Sequence, residues 1–135
     1  MHILVVEDDF ISRRLLCRYL EPFGECDVAV NGEEAVAAVK QAVDQGYQYE
    51  LICLDIMMPG MDGHETLEKI REYESENGLS VGQGAKVIMT TSVQDHKSIR
   101  QAFKASADGY VVKPVEKKKF LATLSEVGVE FSIPL

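Results

Sequence analysis

The sequence contains no tryptophan, only three cysteines, and fewer basic than acidic residues. Lys and Arg total 14 against 22 Asp and Glu, which gives 14 − 22 = −8 at neutral pH. Nucleic acids and anionic membranes bind basic surfaces, so we expect neither as a partner. No apolar run approaches the roughly 20 residues of a membrane-spanning helix. The start, MHILVVEDD, lacks the basic and apolar regions of a signal peptide.

The cysteines show no spacing typical of a metal site or a redox motif. Cys17, Cys26 and Cys53 are odd in number, form no C-x-x-C pair and lie in apolar settings. We therefore interpret them as reduced core thiols of a cytoplasmic protein. The chain has 135 residues, of which 46% are apolar, and this fits one domain with a sizeable core.

Five short apolar runs predict five strands. The runs are continuous rather than alternating, which is typical of parallel strands buried on both faces. They are ILVV (3–6), CDVAV (26–30), LICL (51–54), KVIM (86–89) and GYVV (109–112).

An apolar stripe with helical spacing follows each run, and Asn31 with Glu34 predicts an N-cap for the second helix. Five strand-then-helix units predict a doubly wound α/β sheet with helices on both faces and the flavodoxin-like strand order 2-1-3-4-5. The stripes are Ile11, Leu15, Leu16, Tyr19 and Leu20; Ala35, Val36, Val39 and Val43; Leu67 and Ile70; Ile99, Ala102 and Phe103; and Phe120, Leu121 and Leu124.

Two segments depart from this rhythm. ESENGLSVGQGA (74–85) is polar and Gly-rich, and we expect a mobile surface loop. The tail from 128 to 135 begins with a glycine that could end the last helix, and its role stays open. We therefore expect one domain over residues 1–127, followed by this tail.

Polar residues follow four of the predicted strands. In an open α/β sheet the carboxyl ends of the strands form the site, so two or three carboxylates, a hydroxyl and one ammonium group from these residues should meet in one cleft. They are Glu7, Asp8 and Asp9 after the first strand, Asp55 after the third, Thr90, Thr91 and Ser92 after the fourth, and Lys113 and Pro114 after the fifth.

This set suits phosphoryl transfer to a carboxylate. Carboxylates a few ångströms apart repel each other, and a hard dication such as Mg²⁺ relieves the repulsion. Lys113 offers a mobile positive charge and Thr91 a hydroxyl donor for phosphoryl oxygens. Asp55 can then attack phosphorus, because carboxylates are known to form aspartyl-phosphates. The residues therefore predict Asp55 as a phosphoacceptor.

The motifs ILVVEDD, LDIMMPGMDG, VIMTTS and ADGYVVKPV occur in this order around the predicted strand ends. In combination they resemble the receiver domain of two-component response regulators, a family that includes the chemotaxis response regulator. The resemblance covers about residues 2–126, nearly the whole chain. Departures are mild: Glu instead of Asp at the first acidic position, the 74–85 segment and the tail.

The resemblance implies a set of metal ligands. Asp55 matches the phosphorylated aspartate, and Asp8 matches a direct ligand of Mg²⁺ or Mn²⁺. Glu7 would act on the ion through water, and Met57 would offer its backbone carbonyl. Asp9 matches a variable position.

The resemblance also implies a switch. Thr91, Lys113 and Tyr110 match the switch hydroxyl, the phosphoryl-binding lysine and the switch aromatic, and Lys113–Pro114 is expected to be a cis bond. The loop beside Asp55 would be shaped by Pro59, Gly60 and Gly63.

Partners are implied in the same way. A histidine kinase or a histidine phosphotransfer protein would donate the phosphoryl group, and the basic segment RRLLCR (13–18) is a candidate contact for the kinase. Output to a downstream protein or a second copy would use the face formed by the fourth predicted helix, the fifth strand and the fifth predicted helix.

Three other interpretations compete. A phosphatase of the haloacid dehalogenase type usually has a second Asp two residues after its nucleophile, where this chain has Met57. A flavodoxin would bring its flavin phosphate next to Glu7, Asp8 and Asp9, which repel it. A receiver-like scaffold that is never phosphorylated differs from the first interpretation only in its response to a phosphoryl donor.

Met57 and Val93 match positions that flank the phosphoryl group in the family. Both side chains are apolar. We expect them to hinder the attacking water, so that the phosphorylated form lasts longer than in relatives with polar groups at these positions.

Overall fold

The structure is a computed structural model and describes residues 1–79, 83–92 and 107–129. These residues form a five-stranded parallel sheet with the order β2-β1-β3-β4-β5. The predicted flavodoxin-like order is confirmed. The strands are β1 (His2–Val6), β2 (Glu25–Ala29), β3 (Leu51–Asp55), β4 (Lys86–Ser92) and β5 (Gly109–Lys113).

Four α-helices are present in the described part of the chain, and a short 3₁₀ turn at Glu21–Phe23 follows the first. None of them is long and apolar enough to cross a membrane. The predicted helix at Ile99, Ala102 and Phe103 lies outside the described residues. The helices are α1 (Phe10–Leu20), α2 (Gly32–Asp44), α3 (Gly63–Glu76) and the C-terminal helix (Lys117–Glu126).

Side-chain caps determine where α1, α2 and α3 begin. The carboxylate or amide oxygens of Asp9, Asn31 and Asp62 each accept a hydrogen bond from the backbone N–H three residues further on. Each cap satisfies an N–H that the helix itself leaves without a partner. The N–H of Glu34 donates to Oδ1 of Asn31 at 2.8 Å, so the predicted N-cap pairing of the two residues is confirmed, and Oε1 of Glu34 accepts from the N–H of Val30, the residue before the cap, at 3.1 Å.

The sheet separates two apolar clusters. One cluster packs against α2 and α3 and contains Leu54 of β3, while the other packs against α1 and the C-terminal helix and contains the adjacent Cys53. Neighbouring residues of a strand point to opposite faces, so the central strands need apolar residues at every position. The expected helices on both faces are confirmed.

The edge strands are less buried than predicted. Val28 of β2 is 51% exposed, and Tyr110 and Val112 of β5 are exposed alternately with buried residues. The expectation of burial on both faces is wrong for these two strands. Within the described residues each of them pairs with a strand on one side only, and an apolar run does not reveal whether its strand lies at the edge.

Three other expectations fail at α1 and β2. Ile11 was placed on the core stripe of α1 but is 75% exposed, because Leu16 and Leu20 form the buried face. Cys17 and Cys26 were interpreted as core thiols but are only half-buried, whereas the third cysteine is fully buried.

The segment predicted as a loop at 74–85 begins inside a helix. Helix α3 continues to Glu76, and Glu74 is buried, with Oε2 accepting from Ala85 N–H at 2.7 Å. At the other end of the chain, Gly128 adopts a positive φ of 86° after the C-terminal helix, and Val129 packs into the core. The remaining tail residues lie outside the described part.

Candidate functional site

The carboxyl ends of three strands bring together two acids and a lysine. Asp55 and Lys113 are the last residues of β3 and β5, and Glu7 directly follows β1. The N–H of Glu7 donates to the carbonyl of Ala29 at 3.0 Å, so the residue is held in line with β2. The predicted convergence of Glu7, Asp55 and Lys113 is therefore present in the fold.

Lys113 contacts both acids. Its Nζ lies 2.8 Å from Oε2 of Glu7 and 3.2 Å from Oδ2 of Asp55. Glu7 is fully buried and Asp55 is 3% exposed, while the lysine side chain is 26% exposed. The free-energy cost of burying two neighbouring carboxylates is therefore offset by the positive charge of Lys113, whose side chain is partly exposed.

The environment of Asp55 favours its neutral form. Burial, followed by the charge of Glu7, raises the pKa of Asp55 to about 7, although Lys113 and the N–H of Met57 act in the opposite direction. That N–H donates to Oδ1 of Asp55 at 3.1 Å. Burial opposes the charge on Lys113, but its attraction to the two acids prevails and raises the pKa of its ammonium group.

Asp8 completes a cluster suited to a divalent cation. One carboxylate oxygen from each of Glu7, Asp8 and Asp55 lies within 4.8 Å of the others. Oε2 of Glu7 is buried with the ammonium group of Lys113 as its partner, and Asp8 is exposed at the mouth of the cluster. Hard cations such as Mg²⁺ prefer carboxylate oxygens, so these residues fit such an ion.

Asp9 does not join this cluster. Its Oδ2 accepts from Ser12 N–H at 2.9 Å as the N-cap of α1, and this bond lowers the pKa of Asp9. Of the three acids after β1, Glu7 and Asp8 therefore form the cluster with Asp55, which agrees with the expected meeting of two or three carboxylates. A carboxylate directly before a helix can cap its first N–H groups, and the run of three acids does not show which of them does so.

The hydroxyl residues lie within β4, and not after it as predicted. The strand continues to Ser92, and Thr90 is the register partner of Asp55. Thr91 follows, is fully buried, and donates from Oγ1 to the carbonyl of Ser92 at 3.3 Å. Thr91 pairs with Val112 of β5. In the order of the sheet, the strand β4 that carries Thr91 lies two strands away from β1. Tyr110 of β5 is partly exposed.

The loop after Asp55 has the expected turn chemistry. Pro59 is exposed and Gly60 has a φ of 77°, which favours glycine. Gly63 begins α3 against the end of β3, where a Cβ atom would come within 2.5 Å of the carbonyl oxygen of Asp55. The bond before Pro114 is cis, as the resemblance implied. Val93 lies outside the described residues.

One supporting residue was missed. Arg13 of α1 donates from Nη1 to the carbonyl of Glu7 at 3.0 Å, and its guanidinium lies 5.5 Å from the ring centroid of Phe10. From the sequence alone, Arg13 belongs only to the basic segment that is a candidate contact for the kinase. No spacing rule links an arginine to a carbonyl six residues earlier, so only the fold reveals this support of the acidic cluster.

Comparison with known proteins agrees with the resemblance to receiver domains that the sequence motifs showed. The sequence model of the response regulator receiver domain matches residues 3–125. The chain is 36% identical to the chemotaxis protein CheY of Halobacterium salinarum over 126 residues, covering 93% of this chain and 94% of that protein.

Two solved structures are also similar. One is the receiver domain of the histidine kinase CKI1 from Arabidopsis thaliana complexed with Mg²⁺ and BeF₃⁻, at 25% identity and a TM-score of 0.79, covering 96% of this chain and 90% of that chain. The other is the Saccharomyces cerevisiae co-crystal of the phosphotransfer protein Ypd1 with the receiver domain of Ssk1, at 26% identity and a TM-score of 0.79, covering 95% and 88%. This chain belongs to the response regulator receiver domain family of two-component systems.

Proposed function

We propose that this receiver domain accepts a phosphoryl group on Asp55 from a phosphohistidine of a histidine kinase or a histidine phosphotransfer protein. One observation carries the proposal: the buried Asp55 lies in a cluster with Glu7, Asp8 and the ammonium group of Lys113. A carboxylate placed there gains little for stability, because burial and a like charge both work against it. Such groups are more often found at functional sites.

The residues that would hold Mg²⁺ or Mn²⁺ are Asp8 and Asp55 directly, Glu7 through water, and Met57 through its backbone carbonyl. The ion, when bound, neutralises charge on the phosphoryl oxygens. Glu7 and Asp55 carry the oxygens whose mutual repulsion such a charge relieves. Lys113 contacts both acids, so it can give up its contact with Asp55 while it keeps the one with Glu7.

In the transfer step an oxygen of Asp55 forms a bond to phosphorus while the phosphorus–nitrogen bond of the donor breaks, and the histidine imidazole leaves. Lys113 then exchanges its contact with Oδ2 of Asp55 for a phosphoryl oxygen, since its side chain is already within 3.2 Å. Thr91 turns its hydroxyl from the carbonyl of Ser92 towards another phosphoryl oxygen. Both movements require the phosphoryl group to bind one arrangement better than the other.

We propose Tyr110 as the switch aromatic that responds to the movement of Thr91. Tyr110 and Val112 are partly exposed on β5, beside the C-terminal helix. The output face comprises this strand, that helix and the predicted helix at 99–103, and it would bind a downstream protein or a second copy of the chain. We also propose that the domain spans residues 1–127 and is followed by a tail.

Two features bear on partners and location. The similar receiver domain of Ssk1 was crystallised with a phosphotransfer protein, and we propose a partner of that class here. Arg14 and Arg18, which are exposed on α1, are the residues of the basic segment 13–18 that such a partner would contact. Three free thiols are typical of a reducing compartment, so we propose the cytoplasm.

Acetyl phosphate tests the acceptor. The chain is incubated with acetyl phosphate with and without Mg²⁺, and its intact mass is measured for wild type, Asp55→Asn and Asp9→Asn. We expect a gain of one phosphoryl group that needs Mg²⁺, is absent in Asp55→Asn and remains in Asp9→Asn. An unmodified wild-type chain in Mg²⁺ would favour a receiver-like scaffold and contradict the proposal.

A further inference from the structure

Cys17 and Cys26 open on one groove that the phosphoryl-transfer site does not use. The groove lies between α1 and β2 and has a volume of about 690 Å³. Both cysteines line it, together with the exposed side chains of Phe10, Ile11 and Val28. Both thiols are half-buried and neither is in a disulfide, so small reagents in the groove can reach them.

Cys17 of α1 and Cys26 of β2 are neighbours, because both line this groove and both pack against the same core cluster. A hydrogen bond with Cys26, aided by the charge of Arg13 and opposed by burial, lowers the pKa of Cys17 to about 7. The same hydrogen bond and burial raise the pKa of Cys26. One thiol is thus the better nucleophile at neutral pH, and the other lies within reach of its sulfur, an arrangement typical of an attacking and a resolving cysteine.

We propose that Cys17 and Cys26 form a reversible dithiol–disulfide site that responds to hydrogen peroxide. The thiolate of Cys17 attacks the peroxide, forming a sulfur–oxygen bond while the oxygen–oxygen bond breaks and water leaves after protonation. The sulfur of Cys26 then attacks the sulfenic acid, forming the sulfur–sulfur bond and releasing a second water. The thiols lose two electrons, which the peroxide takes up, and a dithiol reductant reverses the reaction.

Cys53 provides an internal control. It is fully buried in β3, and burial, followed by the charge of Cys17, raises its pKa. A thiol in such a position is inert until the chain unfolds. We therefore expect peroxide to oxidise Cys17 and Cys26 and to leave Cys53 unmodified in the folded protein.

The disulfide would connect α1 to the edge strand β2. Cys26 is the register partner of Ile3 in β1, so the bond would tie the helix to the same strands that lead into the acidic cluster. Helix α1 begins two residues after Asp8. Closing the bond would narrow the groove and restrict movement of α1.

The direct test is peptide mapping. The reduced full-length chain is treated with a few equivalents of hydrogen peroxide, the remaining thiols are alkylated, and the digest is analysed by mass spectrometry. We expect a linked Cys17–Cys26 peptide, an intact-mass loss of about 2 Da from two hydrogens, and full reversal by dithiothreitol. Cys53 should be alkylated only after denaturation. Separate oxidation of the two thiols, without a linked peptide, would overturn the proposal.

Serine variants separate the two roles. Cys26→Ser should stop at the sulfenic acid of Cys17, which dimedone traps, and Cys17→Ser should leave Cys26 largely unreactive. Cys53→Ser is the matched control and should form the disulfide as wild type does. Equal peroxide reactivity of Cys17→Ser and Cys26→Ser would contradict the division of roles. Circular dichroism of each variant verifies the fold.

Discussion

Lys113 contacts two carboxylates that would otherwise face each other at close range. Its ammonium group lies 2.8 Å from Glu7 and 3.2 Å from Asp55, and both acids are buried. The lysine therefore has a structural role in the unphosphorylated protein besides the phosphoryl contact that we propose. Sequence reasoning assigned only the second role, because a lysine after a strand does not reveal which acids lie within its reach.

The first prediction concerns this residue. Lys113→Ala in metal-free buffer at pH 8 should lower the free energy of unfolding by about 1–3 kcal/mol, since removing one partner leaves buried acids uncompensated. The loss should be smaller at pH 5, below the pKa of about 7 of Asp55, where that acid is protonated and repels Glu7 less. Urea unfolding measures both values.

Lys118→Ala is the control for this experiment. Lys118 is exposed on the C-terminal helix and has none of the buried contacts of Lys113. Its substitution should change stability by less than about 0.5 kcal/mol at either pH. A Lys113→Ala protein as stable as the control would show that solvent, rather than the lysine, balances the two acids.

The second prediction concerns Met57. Its N–H binds Asp55, and its side chain is 64% exposed beside the proposed phosphoryl group. Met57→Asn should shorten the lifetime of the phosphorylated form several-fold, because an amide can orient the attacking water where a thioether cannot. Release of labelled phosphate gives the rate. Val28→Asn, at an exposed apolar position on β2, should leave it unchanged, and an unchanged rate in Met57→Asn would refute the water-exclusion hypothesis.

At the scale of elements, α3 is tied to the two strands beside it by a network of charged groups. Glu74 is buried and accepts from Arg71 at 2.8 Å and from Ala85 N–H at 2.7 Å. Asp108, just before β5, accepts from Arg71 at 3.1 Å and from Val87 N–H at 2.8 Å. The network fixes the start of β4 although the chain between α3 and β4 is polar.

The third prediction tests this network. Glu74→Ala should lower the free energy of unfolding by about 2–4 kcal/mol, because it leaves the buried N–H of Ala85 without its acceptor and removes one carboxylate partner of Arg71. Glu72→Ala, on the exposed side of the same helix, should cost less than about 0.5 kcal/mol. Denaturant unfolding compares the two. Equal losses would mean that Glu74 belongs to a surface loop, as the sequence suggested.

The elements differ in how well sequence predicts them. The central strands are predictable because an apolar residue at every position is typical of a strand buried on both faces. The edge strands are predicted as strands, but their burial is overestimated. Valines such as Val28 and Val30 give the same apolar run whether their strand is central or at the edge of the sheet. Glu74 was missed because a buried glutamate in a polar run becomes apparent only when Arg71 and Ala85 are seen beside it.

At the scale of the whole molecule, topology brings the site together. Asp8 and Lys113 are separated by more than a hundred residues, and the 2-1-3-4-5 order places their strand ends at one edge. Recognising that order from sequence was enough to predict the convergence. The separate use of Asp9 as a cap and the contact of Arg13 with Glu7 depend on local geometry, which the order alone does not determine.

The fourth prediction concerns metal binding by the folded chain. Mg²⁺ at about 100 times its dissociation constant should raise the free energy of unfolding by about 2.7 kcal/mol, because it binds the native state only. Asp8→Asn should lose most of this gain. Asp9→Asn should keep it, since asparagine also caps a helix. Thermal unfolding across a Mg²⁺ series measures the shift, and equal stabilisation of the two variants would exclude the proposed cluster.

The most direct test locates the phosphoryl group itself. The chain is treated with acetyl phosphate and Mg²⁺, reduced with borohydride, which converts an aspartyl-phosphate to homoserine, and sequenced by tandem mass spectrometry. We predict homoserine at position 55 and unmodified aspartate at positions 8 and 9. Homoserine at another acid, or an unmodified Asp55 in a chain that has gained the mass of a phosphoryl group, would contradict the account.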